Sequence, residues 1–184
     1  MKKTFKRFWV YAFITLSVSG CNTVMYVQEE KVLYKDVEIL LYETSIKDIE
    51  EQFGKRYEKI DWDEFSTEYN YKSKGISFSH KQKDSLKMVY WVNVETNKNT
   101  INIENRIKID KQSTVSDAVD KLGNGTWDYD STYNGLIIEY EYYDLIIALS
   151  ERDIQTLNKE STFEDWEKLY NQFKGNHIKG IEVY

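Results

Sequence analysis

Apolar residues fall at helical spacing in two short stretches of the chain. In TSIKDIEEQFG, residues 44–54, Ile46, Ile49 and Phe53 share one face. In STVSDAVDKLG, residues 113–123, Val115, Ala118, Val119 and Leu122 do the same. Each stretch opens on a hydroxyl residue with an acid three positions on, Ser45 with Asp48 and Thr114 with Asp117, the signature of a capping box. Each closes on a glycine, Gly54 or Gly123, at the position where a left-handed backbone ends a helix. A third helix is predicted over 161–174. There Ser161 and Glu164 repeat the cap, Phe163, Trp166, Leu169, Tyr170 and Phe173 make one stripe, and Gly175 stops it. Between these, strand-like runs are read at 37–41, 75–80, 86–94, 106–109, 135–140 and 145–149, with 177–184 as a closing strand.

The two short helices align without a gap at a spacing of 69 positions. Only Asp48/Asp117 and Gly54/Gly123 are identical, but the order of elements also repeats: strand, helix, Trp-Asp (Trp62-Asp63 and Trp127-Asp128), then a hairpin. The expected fold is α+β: two tandem modules of helix plus antiparallel sheet, closed by a C-terminal helix and strand. The modules are placed at 35–103 and 104–184. The motif [ST]-x-x-[DE]-[hydrophobic]-x-x-x-[LF]-G occurs at 45–54 and 114–123. In this it resembles the small envelope lipoproteins of the outer-membrane assembly type, and its tandem form is similar to the beta-lactamase inhibitory protein family. Lys55 and Asn124 stand where those families often have proline. The resemblance implies that a sheet face and its loops bind another protein, and it brings no catalytic residues with it.

The N-terminus has a different grammar. Lys2, Lys3, Lys6 and Arg7 form a basic head, and residues 8–18 are a mostly apolar run of 11. That run is too short for a spanning helix, which needs roughly 20 residues, and fits a signal peptide over 1–20. Val18-Ser19-Gly20-Cys21 resembles the lipobox of bacterial lipoproteins, an aliphatic residue and two small ones before cysteine. That resemblance implies that the Cys21 thiol takes a diacylglycerol and becomes the new N-terminus. The chain is then expected in the cell envelope, lipid-anchored to a bacterial membrane (the outer ahead of the inner) and facing the periplasm or cell surface. Residues 21–34 are read as a tether. Two or more acyl chains hold a protein stably at about 0.8 kcal/mol per buried methylene, whereas one does not. Cys21 is the only cysteine, so no disulfide is expected.

Charge narrows the partner class. Loss of the basic head takes the net charge from −6 to −10, which repels nucleic acid and anionic headgroups and suits a basic protein. Proline is absent, so turns fall to Gly, Asn and Asp. His80 and His177 are read as surface or strand-end residues, with no metal-ligand spacing around them. WDYDSTYNG, residues 127–135, lacks glycine where a calcium loop must turn and is read as a loop. Glu139 and Glu141, two apart on a strand, would stand about 7 Å apart on one face, inside the range of inverting glycosidases, although such pairs normally come from different segments. No nucleophile elbow or phosphate loop occurs, and no cofactor is expected. Tyr129, Tyr133, Tyr140, Tyr142 and Tyr143 crowd the second hairpin and are the candidate partner contacts. The expectation is a non-enzymatic, membrane-anchored binder of another protein, of the immunity or inhibitor type. An envelope assembly or structural role, or a glycan-acting hydrolase using Glu139 or Asp128, is the alternative.

Overall fold

The computed structural model describes residues 23–28, 31–62, 64–130, 135–160 and 166–184. The signal peptide, Cys21, Asp63, Tyr133 and the cap expected at Ser161 and Glu164 lie outside them. The chain runs β1 (Thr23–Gln28), β2 (Lys31–Tyr34), β3 (Val37–Leu40), α1 (Ile46–Phe53), β4 (Glu58–Trp62), β5 (Ser66–Tyr71), β6 (Ile76–Lys81) and β7 (Val89–Glu95). It continues through β8 (Asn99–Ile103), β9 (Ile107–Ile109), α2 (Val115–Leu122), β10 (Thr126–Asp130), β11 (Gly135–Glu139), β12 (Tyr143–Ile147), α3 (Glu151–Glu160), α4 (Trp166–Phe173) and β13 (Ile178–Val183). The fold is α+β and ends on a helix and a strand. One sheet has the order β3-β2-β1-β8-β9, the other β10-β11-β12-β13-β7-β6-β5-β4. Among the described residues no helix is long and apolar enough to cross a membrane.

The repeat is visible in the pairing. The strand–helix–meander of β2 to β7 recurs in β8 to β13, and the two four-strand meanders join edge to edge at β7 and β13. The antiparallel seam pairs Val92 with Val183, Asn93 with Glu182, and Val94 with Ile181. Both meanders break register at the matching place, between Ser79 and His80 in one and between Ile146 and Ile147 in the other. The N-cap residues bridge to matching positions as well, Ser45 to Met88 and Thr114 to His177. By pairing, the units span residues 31–95 and 99–183, so the boundaries at 35–103 and 104–184 shift. β2 and β8 hydrogen-bond into the sheet ahead of each helix and belong with it.

Residues 21–34 are not a tether as a whole. β1 is the central strand of the five-stranded sheet, antiparallel to β2 and parallel to β8, and Met25, Val27, Val32 and Tyr34 are buried. Two short apolar runs, 24–27 and 32–34, separated by the polar residues 28–31, were the available signal. The Trp-Asp match also fails. Trp62 ends β4 and is 43% exposed, whereas Trp127 is near the start of β10 and buried. The run at 127–130 is strand rather than loop, with Asp128 paired to Ile137.

Both predicted capping boxes form. The Ser45 N–H donates to Asp48 Oδ2 at 2.9 Å and the Asp48 N–H donates to Ser45 Oγ at 3.2 Å. For Thr114 and Asp117 the distances are 2.8 and 3.3 Å. Hydrogen bonds from the cap hydroxyl and backbone N–H hold both carboxyls below their ordinary value of 3.8. A carboxyl whose pKa falls on folding adds stability that is complete above its unfolded value and is lost as pH drops through the lower folded value. The Ser45→Ala/Thr114→Ala double variant is therefore expected to lose about 1 kcal/mol per cap near neutrality. Its stability is also expected to fall less steeply than wild type below pH 3.8, measured by urea unfolding across pH.

Gly54 and Gly123 end the helices at φ 81, ψ −178 and φ 88, ψ −179. This is not the left-handed helical well expected from the sequence but an extended region at positive φ that is almost confined to glycine. A Cβ at either site would meet nothing within 4 Å, so the cost of alanine is backbone strain alone. Gly54→Ala and Gly123→Ala are each expected to lose about 1–3 kcal/mol. Gly175→Ala, with open space and no positive φ, should stay within about 0.5 kcal/mol of wild type. Melting curves check all three.

One core serves both sheets. Phe53 at the end of α1 lies 5.1 Å from the Tyr34 ring of β2, 5.5 Å from Tyr71 of β5 and 5.2 Å from Phe78 of β6. Ile46, Ile49, Val115, Ala118 and Leu122 of the helices join the same cluster. From the eight-stranded sheet, alternate residues enter it: Tyr69 and Tyr71, Phe78, Val92 and Val94, Ile181 and Val183, Tyr143 and Leu145, and Leu136 and Ile138. The residues between these project from the opposite face.

Candidate functional site

The opposite face of the eight-stranded sheet is polar across its whole width. Glu58, Asn70, Ser77, Asn93, Glu182, Asp144, Glu139 and Thr126 are successive register partners from β4 to β10. Three neighbouring carboxylates stand in that row, Glu182, Asp144 and Glu139. Like charges directly opposite in a sheet are destabilising, so the fold carries this row at a cost. Asn93 Nδ2 donates to Glu182 Oε1 at 3.3 Å, and Tyr184 Oη donates to Asp144 Oδ1 at 2.8 Å. Burial and the Asp144 carboxylate raise the Tyr184 hydroxyl, which keeps it a donor.

Beside that row runs a second, Ile60, Glu68, Ser79 and Trp91. Asn70, Ser77, Asn93 and Glu182 of the first row and Ile60, Glu68 and Trp91 of the second line a hollow of about 890 Å³ together with Trp62, Tyr90, Glu95 and Ile146. His177, Ile178 and Lys179 close it on the side of β13, and Lys111 reaches it from the loop before α2. Trp62 Nε1 donates to Glu68 Oε2 at 2.9 Å and Lys81 Nζ sits 5.5 Å over the Tyr90 ring. Phe65, 72% exposed, and Leu86, 67% exposed, stand on the β4–β5 and β6–β7 loops at one end of the eight-stranded sheet. The Gln82 N–H donates to the Phe65 carbonyl at 2.9 Å and ties those loops together. Large exposed aromatic and aliphatic side chains beside a polar hollow are the composition of a protein contact.

Tyr129, Tyr140, Tyr142 and Tyr143, the described tyrosines among those singled out from sequence, pack toward the core instead. Tyr143 is 3% exposed, stacked 5.1 Å from the Tyr140 ring, and offers a partner nothing. Tyr140 Oη donates to the Gly123 carbonyl at 2.9 Å, and burial pushes the hydroxyl up to about 12. Tyr71 makes the same bond to Gly54 at 2.8 Å in the first unit. These hydroxyls tie each helix end to its sheet. Tyr129 and Tyr142 are half-buried against the core. Aromatic spacing alone does not say which face of a strand is covered, and the core claimed these residues.

The residues weighed for chemistry are dispersed. Glu139 ends β11 on the polar row, but Glu141 lies beyond the strand in the turn, so the two do not alternate on one strand. Asp128 is exposed, its Oδ1 accepting from the Tyr129 N–H at 2.7 Å. His80 is not a surface histidine: it is 4% exposed, its Nδ1 2.8 Å from the Lys81 carbonyl and its ring 5.8 Å from Tyr69. His177 is exposed, with Nδ1 3.2 Å from the Gln112 carbonyl. Among the described residues no group of His, Cys, Asp and Glu is arranged to hold a metal.

Sequence reasoning passed over Trp62, Glu68, Asn70, Ser77, Trp91, Asn93 and Glu182. The signal was alternation, polar at 68 and 70 and at 77 and 79, against Tyr69, Tyr71 and Phe78 between them. Set against known protein families, curated proteins and solved structures, the chain matches none.

Proposed function

We propose that this chain is a non-enzymatic bacterial lipoprotein, held to an envelope membrane through acylated Cys21, that binds another protein on the polar face of its eight-stranded sheet. The observation that carries the reading is that face itself: a hollow walled by Trp62, Trp91 and Tyr90 and floored by polar and acidic residues, with Phe65 and Leu86 exposed on loops at one end of the sheet. The sequence VSGC at 18–21 supports the anchor. The net charge of −10 left once the basic head is removed suits a basic partner, such as a toxic effector that an immunity or inhibitor protein would neutralise. The outer membrane is the preferred site.

Two measurements test it. Cys21→Ser should move the protein from the membrane to the soluble fraction, because no acyl chain is left to hold it; continued membrane retention refutes the anchor. Photo-crosslinking residues placed at Tyr90 or Asn97, on the hollow, should trap one discrete protein in the native envelope. The same residue at Glu38 or Lys108, exposed on the five-stranded sheet, should not. Equal crosslinking from both sheets, or none from the hollow, refutes the binding face.

A further inference from the structure

We propose that the half of the hollow built by the first unit is a socket for a cationic side chain, a guanidinium ahead of an ammonium, on a loop of the protein partner. Glu68 is its counter-ion, and Trp62 and Trp91 are its walls. The inference rests on the binding-face reading above and specifies what that face takes.

Glu68 is 7% exposed, and its one hydrogen-bond partner among the described residues is the Trp62 indole. No described lysine, arginine or histidine comes within 4.0 Å of its carboxylate. Burying a carboxylate is costly unless a cation or several donors meet it. Lys81 projects from the same face two positions beyond Ser79, but it is drawn over Tyr90 at 5.5 Å and makes no ion pair with Glu68.

A second observation is independent of charge. Ser79 is fully buried, and its Oγ has no hydrogen-bond partner. Its register partners are Glu68 on one side and Trp91 on the other, and its neighbour Phe78 faces the core. The orphaned hydroxyl therefore lies on the socket's side of the sheet, buried beneath Glu68 and Trp91 rather than on the wall of the hollow. A guanidinium offers five donors in a planar fork that matches a carboxylate, and its plane stacks on indole faces. Cation–π attraction is strongest for tryptophan. The hollow, about 890 Å³, has room for the loop that bears the side chain.

The test uses the processed chain with ¹⁵N-labelled indoles, Trp62 and Trp91 being assigned through Trp→Phe variants. Three probes are titrated: N-acetyl-arginine amide, its neutral citrulline counterpart, and chitotetraose. The arginine probe should shift the Trp62 indole N–H with a dissociation constant of about 1 mM. The citrulline probe should bind at least about tenfold more weakly, the loss of one hydrogen bond to a charged group. Glu68→Gln should weaken arginine binding by about tenfold without lowering the melting temperature, since it removes an unpaired buried charge. Equal binding of citrulline, no indole shift with arginine, or a shift with chitotetraose alone each overturns the socket, the last in favour of a glycan site. Discrete crosslinks from Tyr90 with a silent arginine titration would sink the socket and leave the binding face standing. A positive titration without crosslinks would do the reverse.

Discussion

Val27→Asp is expected to leave the whole chain unfolded. Val27 is 1% exposed in β1, with Val32 of β2 on one side and Ile103 of β8 on the other. The substitution removes a buried aliphatic side chain, worth about 1.5–3 kcal/mol, and replaces it with a carboxylate that has no cation beside it, at several kcal/mol more. A domain of this size is stable by about 5–15 kcal/mol in total. The strand cannot slide to avoid the penalty, because a shift of one residue would turn Met25 and Val27 outward together. Tyr26→Asp is the control. Tyr26 is 37% exposed on the other side of the same strand, and its replacement should cost about 1 kcal/mol or less. Near-UV circular dichroism and urea unfolding distinguish the two. If Val27→Asp unfolds at the same urea concentration as wild type, residues 23–28 are a tether after all and the five-stranded sheet is wrong at its centre.

Phe53→Ala should cost about 3 kcal/mol, the lower end of the range for phenylalanine deletions, since Phe53 is only partly buried. Its ring meets Tyr34, Tyr71 and Phe78, each within 5.5 Å, and such aromatic pairs add about 0.5–1.5 kcal/mol beyond area burial. Tyr34 belongs to one sheet and the other two to the second, so this side chain couples the layers. Leu122, the matching residue of α2, has no ring and forms no aromatic pair, and Leu122→Ala should cost about 2 kcal/mol. A single urea transition with an unchanged slope is expected for both. A loss below 1 kcal/mol for Phe53→Ala, or separate transitions for the two sheets, would show that the layers are not joined through α1.

The helix ends were the most legible part of the chain. Ser45–Gly54 and Thr114–Gly123 carry cap, apolar face and stop within ten residues; cap and face form as read, and the glycines stop the helices in an extended positive-φ conformation instead of the left-handed one. The same signature at Ser150 and Asp153 went unread, although the Ser150 N–H donates to Asp153 Oδ2 at 2.8 Å and α3 follows directly. Strands fared worse. β3, β6, β9, β11, β12 and β13 lie within two residues of their expected positions and β7 within three, while β1, β2, β4, β5, β8 and β10 were missed. Their residues are mixed in polarity because one side of each faces solvent or the hollow, and a strand of five residues shows only two or three alternations.

By itself the sequence determined the α+β class, the 69-residue repeat, both capped helices and the closing strand, because caps, helical faces and stops are local and each works through neighbours a few positions away. Tertiary structure alone decided which side of each strand meets the core. Tyr140 and Tyr143 were drawn inward to fasten a helix end, while Glu68, Asn93 and Glu182 were brought from three strands onto one polar face. That choice depends on pairings between residues as far apart as Asn93 and Glu182. Alternation defines two faces for a strand, and only the packing of helices against one of them names the other as the surface left for a partner.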